Sequence, residues 1–231
     1  MPYPKHIAII LDGNRRFAKR LMKEPWKGHE YGAKKISELL EWCKEFNIRE
    51  LTLYCLSLQN FNRPKKEFDY LMKVFRESFD KLKGDERIMK YGIKIRVLGR
   101  IHLLPEDIQE RIKYIVEKTK NNNNYVLNFA LAYGGREEIT DAVKKIASSV
   151  KKGELSPEAV NEQTITENLY MQDEPDLIIR TGGEKRTSNF LMWQSWYSEW
   201  IFLDKMWPEF SKEDFIACLE EYDKRERRFG K

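Results

Sequence analysis

The chain has 231 residues, 41% hydrophobic and 34% charged, with 42 Lys and Arg against 37 Asp and Glu. That length suits one α/β domain with a real core, and a net charge of +5 is too mild to argue for a nucleic-acid partner. No apolar run approaches the roughly 18 residues of a membrane span, and the three cysteines have neither the even count nor the C-x-x-C spacing of a disulfide framework or zinc site.

Ile7–Leu11 is a continuous apolar strand. Ile36, Leu39, Leu40, Cys43 and Phe46 follow at helical spacing. Leu51–Leu56 is a second strand, and Phe68, Leu71, Met72, Phe75, Phe79 and Leu82 form the next helical stripe. Ile93–Leu98 is a third strand, and Pro105 with Glu106 and Asp107 opens a helix. The polar turn Asn121–Asn124 leads into a fourth strand, Tyr125–Ala132; Ile139, Val143, Ile146 and Val150 mark the helix after it. Ser156-Pro157 and the box Thr164 with Glu167 predict two further helix starts. Asp176–Arg180 is a fifth strand, Trp200–Leu203 a sixth, and Ser211 begins the last helix. Such alternation implies a mostly parallel sheet of about six strands covered by helices on both faces. No repeat or linker divides the chain, so residues 1–231 are expected to form one domain.

Ligands of open parallel sheets bind beyond the carboxyl ends of the strands. Those ends carry Asp12-Gly13-Asn14-Arg15-Arg16, Ser57 to Pro64, Tyr133-Gly134-Gly135-Arg136, and Arg180 to Asn189. Arginine forks, glycines that admit backbone N–H groups, and hydroxyl or amide side chains together suit phosphate oxygens. From Asp12 to Lys35 there are eight Lys or Arg against three Asp or Glu. A lone carboxylate among phosphate-binding cations suits Mg²⁺, which takes one or two carboxylates plus substrate oxygens. Glu199 is an acid embedded among the rings of an aromatic-rich segment, Phe190–Trp207, which read mostly as core. It is therefore a candidate second magnesium contact.

The segments HIAIILDGNRRFAKR, GHEYGAKK, LTLYCLSLQNFNRP, AYGGREEI and DLIIRTGGEKRTSNFLMWQSWYSEWIF resemble the cis-prenyltransferases of the undecaprenyl and dehydrodolichyl diphosphate synthase type. The resemblance implies Mg²⁺-dependent condensation of isopentenyl diphosphate onto an allylic diphosphate, farnesyl or geranylgeranyl, giving a long Z-polyprenyl diphosphate such as undecaprenyl diphosphate. It implies that Asp12 places the metal, and that Gly13, Asn14, Arg15 and Arg16 cradle the allylic diphosphate beside His29. Asn60, tied to proton removal, and Arg63 match positions near the reacting carbons. Arg180, Arg186 and Ser188 match the clamp on isopentenyl diphosphate. Phe17, Ser57, Leu58, Gln59, Phe61 and Thr187 fall among the matching substrate-binding positions. Glu199 matches the second metal carboxylate, which in these homodimers often comes from the partner subunit. Arg228 and Gly230 resemble an ending that reaches the neighbouring subunit.

Phe17, Pro25, Gln59, Phe61 and Ala132 depart from the common bacterial residues, which points to a longer allylic primer. The chemistry also requires an apolar tunnel for the growing chain. Its expected lining is Phe68–Leu82 with the inner faces of the second and third strands. A cytoplasmic enzyme with a peripheral contact at the inner face of the membrane is expected, because the product is a lipid. Two other readings remain: a non-catalytic scaffold subunit of a heteromeric prenyltransferase, which would lack the Asp-Gly-Asn loop, and a phosphate-ester hydrolase. The hydrolase would want a second acid two residues after Asp12, where Asn14 stands.

Overall fold

The computed structural model describes residues 3–225. The strands are β1 His6–Ile10, β2 Glu50–Tyr54, β3 Ile93–Leu98, β4 Tyr125–Ala130, β5 Leu177–Arg180 and β6 Glu199–Phe202. The helices are α1 Asn14–Arg20, α2 Gly28–Glu45, α3 Lys65–Gly84, α4 Glu86–Lys90, α5 Glu106–Thr119, α6 Gly135–Lys151, α7 Glu162–Asn168 and α8 Lys212–Lys224. All six strands match the expected runs to within two residues at each end. All six join one sheet in the order β3-β4-β2-β1-β5-β6, with every pairing parallel. The chain is thus one α/β domain.

Apolar strands form here because both sheet faces are covered. On one face Ile7, Ile9, Leu51 and Leu53 pack with the apolar stripes of α2, α3, α5 and α8. On the other, Ala8, Ile10, Tyr54 and Ile178 pack with Tyr133, Met171, Phe190 and Leu191. α6 is pinned over that second face by buried Glu138, which accepts hydrogen bonds from Tyr133 Oη, Gln194 Nε2 and the backbone N–H of Tyr170.

In the strand order β4 separates the second strand from the third, and β3 forms an edge. Two expectations need correction. Ser156-Pro157 starts only a single 3-10 turn, Pro157–Ala159. Asn161, not Thr164, caps the following helix, and Thr164 Oγ1 instead accepts from the Asn161 N–H as the third helical residue. Asparagine caps at least as well as threonine, so the earlier residue takes the role.

His6 opens β1 fully enclosed, with Nε2 2.8 Å from Thr52 Oγ1. Burial pushes its pKa down to about 4, against weaker upward pulls from the Glu174 carbonyl, Asp173 and Asp176; Arg96 adds to the lowering. A histidine folded in its neutral form supports the native state fully above the unfolded pKa of about 6.5 and loses that support as pH falls toward 4. His6 alone should therefore cost about 3 kcal/mol of stability between pH 7 and pH 4. Thermal melts across that range should show the decline, and a His6→Asn variant should show a visibly shallower one; equal slopes would remove His6 as its source.

Candidate active site

Two strands with oppositely directed connections lie side by side at the centre of the sheet. β1 leads toward β2 on one side, and β5 leads to β6 on the other. Their carboxyl ends form the crevice where open α/β sheets bind ligands. Asp12 follows β1 and Arg180 ends β5; Arg180 pairs with Ile10, so Asp12 lies two positions beyond it. Arg180 Nη2 donates to Asp12 Oδ2 at 2.7 Å, and its Nη1 donates to Ser188 Oγ at 2.7 Å and to the Arg186 carbonyl. The Arg180 side chain is 4% exposed. A buried guanidinium needs its charge and donors met; the three acceptors meet the charge and both terminal nitrogens, while the buried Nε has no hydrogen-bond partner among the described residues.

The loop that presents Asp12 is shaped by close packing. Gly13 stands at φ 103°, where L side chains are strained, and an added Cβ would sit 2.8 Å from Met206 Cα. Its N–H donates to Asp12 Oδ1 at 2.6 Å. Gly182 (φ 87°) lies where a Cβ would come within 2.7 Å of Arg16 Nη2 and 3.0 Å of the Asp12 carbonyl carbon. Arg16 reaches the outer oxygen of Asp12 more loosely, at 3.4 Å. The Asp12 backbone carbonyl is held by the Thr181 hydroxyl and the Trp207 N–H, at 2.8 and 2.9 Å.

A second group of cations comes from the segment after β2. Ser57 and Asn60 form a reciprocal cap on a 3-10 turn, Leu58–Asn62, with Asn60 Oδ1 accepting the Ser57 N–H at 3.1 Å. Arg63 leaves that turn and donates to Glu67 at 2.9 Å. Arg15 of α1 reaches the same Glu67 oxygen at 3.5 Å. Arg63 Nη1 also lies 3.4 Å from His29 Nε2. Burial, then the charges of Arg63 and Arg15, push the His29 pKa down to about 4. Its imidazole is therefore neutral near pH 7 and accepts the Arg63 N–H. Burial also lowers the Arg63 pKa, although Glu67 opposes it.

These groups rim one cavity of about 640 Å³. Its polar end holds Asp12, Asn14, His29, Asn60, Arg63, Arg180, Arg186 and Ser188. Its other end is apolar, formed by Leu71, Val74, Phe75, Phe79 and Leu82 of α3 against Phe129 of β4 and Leu131 just beyond it. The expected α3 and β2 walls are present, but β4 replaces the third strand, because β3 lies outboard of it. One end can therefore hold anionic oxygens while the other receives hydrocarbon.

The donor set can be tested against a metal. No group of three His, Cys, Asp or Glu side chains among the described residues could hold one. Asp12, 29% exposed on the cavity wall, fits a hard cation that keeps its waters and shares substrate oxygens, as Mg²⁺ does.

Residues 10–230 match the Prenyltransf family model, described as "Putative undecaprenyl diphosphate synthase". The chain belongs to the cis-prenyltransferase family. Relatives in Thermococcus kodakarensis and Methanocaldococcus jannaschii, both named tritrans,polycis-undecaprenyl-diphosphate synthase (geranylgeranyl-diphosphate specific), are each 50% identical over 99% of this chain, and over 87% and 83% of their own. The crystal structure of lavandulyl diphosphate synthase from Lavandula x intermedia with dimethylallyl diphosphate superposes with a TM-score of 0.92 at 34% identity, covering 99% of both chains. That of a probable undecaprenyl diphosphate synthase from Campylobacter jejuni gives 0.83 at 33%, covering 100% of both.

Ten of the predicted site residues line the cavity of this cis-prenyltransferase: Asp12, Asn14, His29, Ser57, Gln59, Asn60, Arg63, Arg180, Arg186 and Ser188. Others lie just behind it. Gly13 and Arg16 touch Asp12 and Arg15 touches Glu67, whereas Leu58 and Phe61 pack on the core. Phe17 stacks edge-on with Tyr31, and Thr187 turns out toward Met192.

Glu199 is not brought to Asp12 within the chain. It opens β6 level with Leu177, which is level with Ile7. The strand from Ile7 to Asp12 spans roughly 16 Å, and Glu199 instead pairs with Arg225 at 2.6 Å. Arg228 and Gly230 lie outside the described residues. The aromatic segment is only partly core, since Trp196 and Tyr197 are exposed beside β6. Sequence reasoning missed Glu67, whose signal was its i,i+4 spacing from Arg63, and Asn189, which lines the cavity and accepts the Arg136 N–H.

Proposed function

We propose that this enzyme condenses isopentenyl diphosphate repeatedly onto geranylgeranyl diphosphate and releases a Z-polyprenyl diphosphate of undecaprenyl length. The reading rests on one observation, the Asp12–Arg180 pair at the polar mouth of a cavity whose far end is apolar. The primer rests on the departures near Phe17 and Phe61 and on the printed specificity of the two archaeal relatives.

In this reading Arg180, Arg186 and Ser188 bind the diphosphate of isopentenyl diphosphate, while Gly13 to Arg16 and His29 bind that of the primer. Mg²⁺ held by Asp12 would add positive charge to the leaving diphosphate. The allylic C–O bond breaks, its electron pair leaves with diphosphate, and the guanidinium groups stabilise that charge. The isopentenyl double bond supplies the electrons of the new C–C bond, and a proton then leaves the adjacent carbon, a step in which this reading gives Asn60 a part. The apolar wall of α3 keeps water from the cationic centre.

We infer a homodimer for the second carboxylate. β6 is an edge strand with Trp196 and Tyr197 exposed beside it. A two-fold pairing across that edge would set the amino end of one sheet against the carboxyl end of the other, bringing the partner's Glu199 toward Asp12.

The test uses purified protein, labelled isopentenyl diphosphate, and geranylgeranyl or farnesyl diphosphate, with Mg²⁺ or with chelator. Label should enter a lipid-extractable product of undecaprenyl length with Mg²⁺ only, and faster from geranylgeranyl diphosphate. A product of another length would overturn the product assignment, farnesyl preference the primer, and undiminished turnover in chelator the metal. Release of free phosphate without chain growth would return the hydrolase reading.

A further inference from the structure

The segment from α1 to α2 has features that the reaction does not use. It leaves the cavity at Asn14 and returns to it at His29, so it borders the mouth. α1 ends in a backbone turn in which Lys23 N–H bonds the Ala18 carbonyl at 2.9 Å and Met22 N–H bonds that of Lys19 at 3.0 Å. In this turn the residue after the cap is left-handed and is usually glycine. Here it is Met22, at φ 55° and 98% exposed, beside exposed Leu21. The fold thus accepts backbone strain to hold a long apolar side chain wholly in water.

The surroundings of this tip are basic. Residues 15–27 carry Arg15, Arg16, Lys19, Arg20, Lys23 and Lys27, against Glu24 as the lone acid. The base of the tip is firm: Phe17 meets Tyr31 edge-on at 5.3 Å, and the Lys23 ammonium sits over the Tyr31 ring and donates to its hydroxyl. Lys66 lies 4.9 Å over Trp26. Two aliphatic side chains ringed by cations on a rigid turn match an anionic bilayer, with the apolar tips entering the acyl boundary and the ammonium groups meeting headgroup phosphates. Nucleic acid would call for exposed stacking rings instead, and Phe17, Trp26 and Tyr31 are half-buried.

We propose that Leu21 and Met22, with Lys19, Lys23 and Lys27, form a docking tip that seats the mouth of the cavity on an anionic membrane surface. The proposal rests on the reading that the product is a lipid, and it supplies the route by which that product leaves.

Met22→Gly separates binding from folding, because glycine suits the left-handed position. The variant should melt about 2–4 °C higher yet bind vesicles of phosphatidylcholine and phosphatidylglycerol in equal parts roughly tenfold less in flotation. Lys19→Glu should lose binding to a similar degree, and wild type should bind phosphatidylcholine vesicles weakly. Prenyl transfer in detergent should be unchanged in both variants; failed transfer by wild type would strike the proposed reaction and leave the flotation result standing. Wild type that does not float with anionic vesicles, or Met22→Gly that floats as wild type does, would overturn the tip. So would binding lost in Lys19→Glu yet kept in Met22→Gly, which marks a surface read by charge alone.

Discussion

Asp12→Ala should reduce turnover roughly 10³-fold, the scale of removing a principal charge-stabilising group, and should also destabilise the fold. The second effect follows from Arg180. That guanidinium is buried, and Asp12 is its anionic partner at 2.7 Å. Breaking a buried pair from one side costs about 3 kcal/mol, the low end of the usual range because Asp12 is itself partly exposed. Asp12→Asn separates the two roles. Its amide oxygen can still accept from Arg180, so much of the stability should return, but without the negative charge turnover should stay low. Chemical denaturation and single-turnover kinetics on both variants would check this. More than a tenth of wild-type turnover in either would remove Asp12 from the reaction.

Glu67→Gln should lower kcat about 10²-fold while leaving KM for the diphosphates unchanged or reduced. Glu67 is 3% exposed and takes Arg63 at 2.9 Å and Arg15 at 3.5 Å. Without its charge, two guanidinium groups repel one another beside neutral His29, and Arg63 loses its fixed direction. The net field at the mouth becomes more positive, which favours binding of anionic substrates in the ground state. Loss in kcat without loss in binding marks an interaction needed in the transition state. A raised KM with unchanged kcat would instead make Glu67 an ordinary contributor to substrate binding.

Some of this molecule was legible in one dimension. Runs such as Ile7–Leu11 and Ile93–Leu98 read as strands because both faces of a parallel sheet are buried. The anion-binding loops read as such because four strand ends together carry arginine, glycine and hydroxyl or amide side chains. Strand order was less accessible: β3 and β4 have similar apolar patterns, and only pairing decides which becomes the edge. The Thr164 box failed because Asn161 offered a competing cap three residues earlier.

By itself the sequence determined the alternation of elements, the family, and the side-chain types at the reaction site, because these depend on local periodicity and on residue identity. Only the tertiary structure decided which groups meet. Asp12 and Arg180 are 168 positions apart, yet adjacent parallel strands bring their carboxyl ends together. The same register carries Glu199 to the far end of the sheet. Met22 gives no periodic signal at all; its exposure follows from a left-handed turn closed by hydrogen bonds to Ala18 and Lys19. Contacts of this kind are set by strand order and backbone handedness, which residue spacing along a chain does not encode.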